Sequence, residues 1–220
     1  MSPGRPAGVV FDCDGTLADT EPISDAAWAD VLGEHGYVPT EEDRRATVGR
    51  PYPVTFAHFA ARVPLGEPAA FRVGLRERFL ARFESELTLF GDAVGVLREL
   101  AAAGIPVAVA SSSSHAHVDR ILARAEVQDL VGAVIGADDV TRHKPDPEPY
   151  LAAATQLGVA PRACSAVEDT DVGVSSARAA GMFTVAVVRG HLPRADLAHA
   201  HRVVDRLRRC DVVPPGSPGG

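Results

Sequence analysis

From about residue 88 onward, short apolar runs alternate with stretches of helical periodicity, and nothing else in the chain narrows its fold as much. Pro106 to Ala110 reads as a buried strand, Ser114 to Glu126 as a helix and Ala133 to Gly136 as a short strand. Pro147 to Leu157 follows as a helix, Cys164 to Val167 as a strand, Val172 to Ala180 as a helix and Thr184 to Val188 as a strand, with Arg202 to Val204 adding an edge strand. The opening Val9-Val10-Phe11 is a further apolar run. Strands this short and apolar are buried on both faces, and alternation with helices suits a parallel sheet. The expected fold class is therefore α/β, a doubly wound parallel sheet.

Between the opening strand and residue 88 the pattern changes to helical periodicity with no convincing strand. Glu21 to Gly36 carries Ala27, Trp28, Val31 and Leu32 along one side, and Glu67 to Leu87 carries Phe71, Leu75, Phe79, Leu80 and Phe83 at helical spacing. Five of the eight phenylalanines lie between residues 56 and 83, so this insert owns a small core and its aromatic stripe is packing rather than a cofactor site. The expected organisation is an α/β core from residues 1–17 and 88–213 with a helical insert at 18–87. Directly after an acidic loop, such an insert reads as a lid. Residues 214–220, Pro214 to Gly220, are too rich in proline and glycine for a regular element and read as a loose tail.

Composition excludes several partners. The formal net charge of −7 leaves no basic footprint for nucleic acid or an anionic membrane. No apolar run reaches membrane-spanning length, and Met1 to Gly8 lacks the apolar stretch of a signal peptide, so a cytoplasmic protein is expected. Cys13, Cys164 and Cys210 are odd in number and far apart, which fits reduced thiols.

In a doubly wound sheet, ligands gather beyond the carboxyl ends of the strands. After the first strand come Asp12 and Asp14, which share one face in an extended segment while Cys13 points opposite. Two acids there demand a cation, or chemistry that keeps one carboxyl charged and the other protonated. After Val107 to Ala110 come Ser111 and Ser112, then Ser113 and Ser114 before a helix. After Gly136 comes a loop with Lys144-Pro145, and Lys144 is the only lysine beside 21 arginines. A compact ammonium suits a narrow site that a planar guanidinium does not. After Ser165-Ala166-Val167 come Glu168 and Asp169, then Thr170, Asp171 and Gly173. Singly, each has a plain alternative. Ser114 reads as a helix cap, a lysine before proline is usually solvated, and an acidic pair often starts a helix. Their joint appearance at strand ends marks them as a site.

The order Asp-x-Asp-Gly-Thr, Ser after a strand, Lys-Pro, and Glu-Asp before a helix resembles the haloacid dehalogenase superfamily. The segments Phe11 to Pro22, Lys144-Pro145-Asp146-Pro147, and Val167-Glu168-Asp169-Thr170 continuing to Ala180-Gly181-Met182 carry the likeness. The insert resembles the α-helical cap of its β-phosphoglucomutase-like and phosphosugar phosphatase branch. The resemblance implies Asp12 as nucleophile on phosphorus and Asp14 as general acid and base. It implies Mg²⁺ held by Asp12, the backbone carbonyl of Asp14, and Asp169, with Glu168 as a ligand or immediately behind. Lys144, Ser111, Ser112 and Thr16 would bind the phosphoryl group.

The implied function is Mg²⁺-dependent hydrolysis of a small phosphorylated metabolite, of the phosphosugar or sugar-acid phosphate class, by a monomer. Halide displacement fits less well, because it has no use for Asp14. Phosphate transfer within a sugar fits less well too, because Ser24 stands where relatives with that activity have a cap histidine, and Gly49-Arg50-Pro51-Tyr52 matches their cap loop only loosely. A non-catalytic phosphometabolite- or partner-binding protein conflicts with the complete set of core motifs. Arg50, His58, Arg76 and Arg82 are the candidate specificity residues of the cap.

Overall fold

Gly8 to Phe11, four consecutive buried residues, form the central strand of a computed structural model that describes residues 5–48, 50 and 52–214. Gly49 and Pro51 of the cap loop and Pro215 to Gly220 of the expected tail lie outside the described residues. In chain order the elements begin β1 (Gly8–Phe11), β2 (Ala18–Asp19), α1 (Glu21–Glu34), α2 (Glu41–Thr47), α3 (Tyr52–Ala60), α4 (Pro68–Glu86) and β3 (Thr88–Leu89). They continue with α5 (Gly91–Ala102), β4 (Val107–Ala110), α6 (His115–Arg124), β5 (Ala133–Ile135), α7 (Glu148–Gln156), β6 (Cys164–Glu168), α8 (Asp171–Ala179), β7 (Phe183–Val187) and β8 (Arg202–Val204). The chain divides into two compact units, one taking in the chain up to Ala18 and again from Leu89, the other Asp19–Thr88.

The first unit holds a six-stranded parallel sheet in the order β5-β4-β1-β6-β7-β8. The chain winds to one side of β1 through β4 and β5 and to the other through β6 to β8, so the order reverses at β1 and opens a crevice at its carboxyl end. Register then decides what lines that crevice. Phe11 stands beside Val109 on one side and Val167 on the other. Asp12 and Glu168 therefore emerge one residue later on neighbouring strands, with Ser111 on the flanking strand. The Asp12 N–H donates to the Val167 carbonyl at 2.9 Å and the Ser111 N–H to that of Ile135 at 2.9 Å, which extends the ladder up to the site. Beneath it Tyr150, Ala153 and Ala154 of α7 pack with Val10, Ala108 and Ala166; alanines on both surfaces let helix and sheet approach closely.

The strands sit within a residue or two of where apolar runs place them. α5 also carries a plain helical stripe, Ala93, Val96, Leu97 and Leu100, all buried. α2 carries none. Its sequence is Glu-Glu-Asp-Arg-Arg-Ala-Thr, its one buried residue is Asp43, and a reciprocal cap between Thr40 and Asp43 starts it. Ser114 occupies the N-cap position of α6 without a side-chain cap bond; Asp138 Oδ1 accepts from the His115 N–H instead, at 2.7 Å.

The second unit is built from α1 to α4. Val31, Leu32, Phe59, Leu65 and Phe71 form its core, with Trp28, Tyr37, Tyr52 and Phe56 packed against it. Trp28 lies 5.3 Å from the Phe59 ring and 5.4 Å from that of Phe71, so the aromatic residues pack one another as expected. Asp43 is the polar centre of this unit. Its carboxylate accepts from Tyr37 Oη (2.7 Å), the Thr40 N–H (2.9 Å) and Thr40 Oγ1 (2.8 Å), and it contacts His58 Nε2 (2.7 Å) and Arg62 Nε (2.9 Å). Burial alone would raise its pKa, but the Thr40, Tyr37 and His58 hydrogen bonds outweigh burial and hold it well below the usual carboxylate range. A folded-state pKa below the unfolded value gives stability that is present above the unfolded pKa of about 3.9 and lost as pH falls through the folded one. Asp43→Ala strands these donors and is expected to cost about 3 kcal/mol at neutral pH. The gap to wild type should narrow in acid. Urea titrations followed through Trp28, the chain's single tryptophan, measure both.

Candidate active site

Three carboxylates and one ammonium converge at the carboxyl end of β1. Lys144 Nζ lies 2.6 Å from Asp12 Oδ1 and 2.6 Å from Glu168 Oε1, and all three residues are buried. Burial disfavours the ammonium, but the charges of Asp12 and Glu168 overcome that and raise its pKa well above the usual lysine value. Asp12 is pushed up to about 8, first by burial and then by the charge of Glu168, with Lys144 offsetting only part. Its second oxygen, Oδ2, is buried with no hydrogen-bond partner.

Glu168 ends β6 at the start of α8, where a carboxylate is favoured by the free N–H groups of the helix terminus. Its Oε1 accepts from Lys144 Nζ and from Tyr150 Oη (2.8 Å). Its Oε2 accepts from the Asp169 N–H (3.0 Å), the Thr170 N–H (3.2 Å) and Thr170 Oγ1 (3.0 Å). A side chain at Gly173 would put its Cβ 1.8 Å from Glu168 Oε1, so the carboxylate rests on bare helix backbone. Asp169 accepts from Thr16 Oγ1 at 3.1 Å. Gly15 has φ +83°, and a Cβ there would lie 2.1 Å from Asp169 Oδ2, so both conformation and space require glycine.

The loop carrying Asp14 is tied down at several points. Gly15 N–H donates to the Ala18 carbonyl at 2.7 Å and Leu17 N–H to that of Cys13 at 2.8 Å. Arg189, just beyond β7, donates to the Thr16 carbonyl at 3.3 Å while forked onto Asp92 at 2.9 and 3.1 Å. Asp14 itself faces α6. Its Oδ2 accepts from Ser113 Oγ (2.8 Å) and Ser111 Oγ (3.2 Å), and its Oδ1 contacts His117 Nε2 at 2.8 Å. Burial lowers the His117 pKa, but the charge of Asp14 and its hydrogen bond outweigh that and raise it. Ser112 stands exposed between Ser111 and Ser113.

Oxygens of Asp12, Glu168 and Asp169 lie within 4.8 Å of one another. The orphaned Asp12 Oδ2 makes the cluster fit a divalent cation, since hard ions take oxygen ligands of this kind and a buried carboxylate oxygen needs a partner. Residues 6–181 match the haloacid dehalogenase-like hydrolase family. The chain belongs to that family.

Among relatives, this hydrolase is 35% identical over 190 residues to the fructose-1-phosphate phosphatase YqaB of Escherichia coli, covering 83% of this chain and 97% of the relative. It is 35% identical over 185 residues to hexitol phosphatase A of Escherichia coli, covering 83% of each. A family hydrolase from Deinococcus radiodurans, solved with bound phosphate and sodium, superposes with a TM-score of 0.76 at 29% identity, covering 97% of this chain and 100% of that one. Phosphatases of the family generally use a divalent metal ion, and the buried acidic cluster of this hydrolase is suited to hold one. No helix among the described residues is long and apolar enough to cross a membrane.

Asp12, Asp14, Thr16, Ser111, Lys144, Glu168 and Asp169 of the hydrolase thus meet in one region of the first unit. The four cap candidates are placed differently within the second. His58 is taken by Asp43 at 2.7 Å, and Arg82 pairs with Asp30 at 2.7 Å, so both serve the internal packing of the helices. Arg50 and Arg76 are exposed. Ser113, His117 and Tyr150 also reach the carboxylates of the site, and of the three only Ser113 is marked in the sequence, as a member of the serine run. His117 lies one helical turn before Ile121, which is buried in α6, so its position on the inward side was readable; its partner, 103 residues away, was not. Tyr150 begins an apolar stripe with Ala153 and Ala154, and a buried tyrosine hydroxyl calls for a partner that only the fold identifies.

Proposed function

We propose that the protein is a phosphatase that hydrolyses a small phosphomonoester of the phosphosugar or sugar-acid phosphate class, with Mg²⁺ as cofactor. The observation that carries this reading is the pair of unlike oxygens on Asp12. Oδ1 is held by Lys144, while Oδ2 is buried without a partner, which leaves a fixed carboxylate beside a cation-fitting cluster. The phosphatase names of the relatives support the reaction class.

Asp12 attacks phosphorus and forms an aspartyl-phosphate as the alkoxide departs, and Asp14 gives that alkoxide its proton. Asp14 then takes a proton from water, which attacks the same phosphorus, frees inorganic phosphate and restores Asp12. Lys144 stays beside the nucleophile, and the hydroxyls of Ser111 and Thr16, with backbone N–H groups near Ser112, hydrogen-bond the phosphoryl oxygens as charge moves onto them. Mg²⁺ would be held by Asp12, Asp169 and the Asp14 backbone carbonyl. The chemistry it supplies when bound is neutralisation of the carboxylates that would repel a phosphate dianion. The exposed cap cations Arg50 and Arg76 are the remaining specificity candidates.

Hydrolysis of p-nitrophenyl phosphate with and without Mg²⁺ tests the class, and a panel including fructose 1-phosphate and hexitol phosphates tests the substrate. Asp14→Asn separates the two aspartates. It should keep Mg²⁺ affinity near wild type, because the backbone carbonyl remains, yet lose about 10²- to 10⁴-fold in kcat. Asp12→Ala should lose both. A fully active Asp14→Asn would sink the division of labour, and no turnover of any panel member would favour a binding protein.

A further inference from the structure

Tyr150 is wholly buried, and the roles proposed above make no use of it. Burial, and after it the charge of Glu168, pushes its hydroxyl well above the usual tyrosine range, so it stays protonated and acts as a donor. The acceptor is Glu168 Oε1 at 2.8 Å, the same oxygen that accepts from Lys144 at 2.6 Å. With the Asp169 N–H, the Thr170 N–H and Thr170 Oγ1 on Oε2, five donors face this one carboxylate. An ionised carboxylate offers about four lone-pair sites. None is left for a cation.

We propose that Tyr150 is a positioning residue of the site: its hydroxyl completes the donor shell of Glu168, so that Glu168 steadies the Lys144 ammonium on Asp12 instead of binding the cation. Lys144 Nζ is shared between Asp12 Oδ1 and Glu168 Oε1 and sits 5.0 Å over the Tyr150 ring, so hydroxyl and ring both bear on where the ammonium rests. Without the hydroxyl, Oε1 of a wholly buried carboxylate has a vacant lone pair. The two positive centres able to answer it are the ammonium, drawn off Asp12, and a cation between Asp12 and Asp169. Either response spoils the nucleophile's setting, and the second adds a ligand to the cation.

This inference rests on the reading of Asp12 as nucleophile and of the acidic cluster as a cation site. Tyr150→Phe keeps the ring and its packing and deletes only the hydroxyl. Two measurements on the full chain are expected to separate, with turnover lost and metal affinity kept. The kcat for p-nitrophenyl phosphate falls about tenfold with KM within twofold of wild type, while calorimetric titration with Mn²⁺ alone gives a Kd equal to or up to about threefold tighter than wild type. A hydroxyl that merely supported packing would weaken Mn²⁺ binding and lower Tm together, and that result overturns the proposal, as does an unchanged kcat. Glu168→Gln gives an independent reading. Its Mn²⁺ Kd should stay at least about tenfold tighter than that of Asp169→Asn; equal losses would make Glu168 a ligand and remove the role assigned to Tyr150. Should wild type hydrolyse no phosphomonoester, the proposed function fails on that count alone, and the Mn²⁺ titrations still decide between positioning and packing.

Discussion

Asp12→Asn is expected to lower kcat for phosphomonoester hydrolysis by about 10⁴-fold or more while leaving the fold intact. An amide lacks the negative oxygen that attacks phosphorus, and among the described residues no second carboxylate has Lys144 on one oxygen and the other without a partner. Stability should move the opposite way. Burial and Glu168 raise the Asp12 carboxyl to about 8, so without a divalent cation the folded protein holds this proton more tightly than the unfolded chain does. A group of this sign costs stability as pH rises from the unfolded value of about 3.9 towards the folded one. Asp12→Asn deletes that slope. Thermal melts in chelator should show the variant gaining on wild type across that interval, and Mg²⁺ should narrow the gap by stabilising wild type. Full activity in the variant would remove Asp12 from the chemistry, and a pH-independent difference in Tm would remove the argument from burial.

Lys144→Met should be costly in both respects. The ammonium stands between two buried carboxylates, and its loss leaves Asp12 and Glu168 facing one another without the charge that holds them. Removing one member of a buried ion pair costs about 3–5 kcal/mol, most of it from the charge left behind. Asp12 can escape part of this cost by holding its proton. Its carboxyl, already raised to about 8 beside Lys144, then titrates higher still, so the variant keeps losing stability where wild type no longer does, and the deficit should be larger near pH 9 than near pH 6. Activity is expected to fall by about 10³-fold, the scale of losing a preorganised charge beside a transferring phosphoryl group. Chemical denaturation at the two pH values and single-turnover hydrolysis check each part. Lys144→Arg should rescue neither, because a planar fork does not fit where one compact head meets two carboxylates at 2.6 Å.

Much of this site is legible in the chain because strand ends in a parallel sheet are places that a one-dimensional pattern can find. Val9 to Phe11, Val107 to Ala110 and Cys164 to Val167 read as strands from apolarity alone, and the residues that follow each of them meet at the crevice beside β1. Helices without an apolar stripe escape such reading. α2 is held by the Thr40–Asp43 cap and a buried carboxylate, so no hydrophobic period betrays it. His58 and Arg82 show the same limit from the other side. Both are basic side chains in a region expected to choose the substrate, and both are spent on Asp43 and Asp30, partners on other helices of the same unit.

Residue order and chemistry alone therefore settle the α/β class, and they point to the helical insert and to the strand-end residues, the one lysine among them, that the fold brings together beside β1. Those properties depend on periodicity and on which residues follow which strand, and both are local. Tertiary structure decides which oxygen faces which donor. That Asp12 keeps one oxygen for Lys144 and one without a partner, that Asp14 turns to Ser113 and His117, and that Tyr150 fills the last place on Glu168 all depend on contacts between residues 18 to 132 positions apart. A hydrogen bond is a matter of a few tenths of an ångström and a direction, and only the packed fold fixes either.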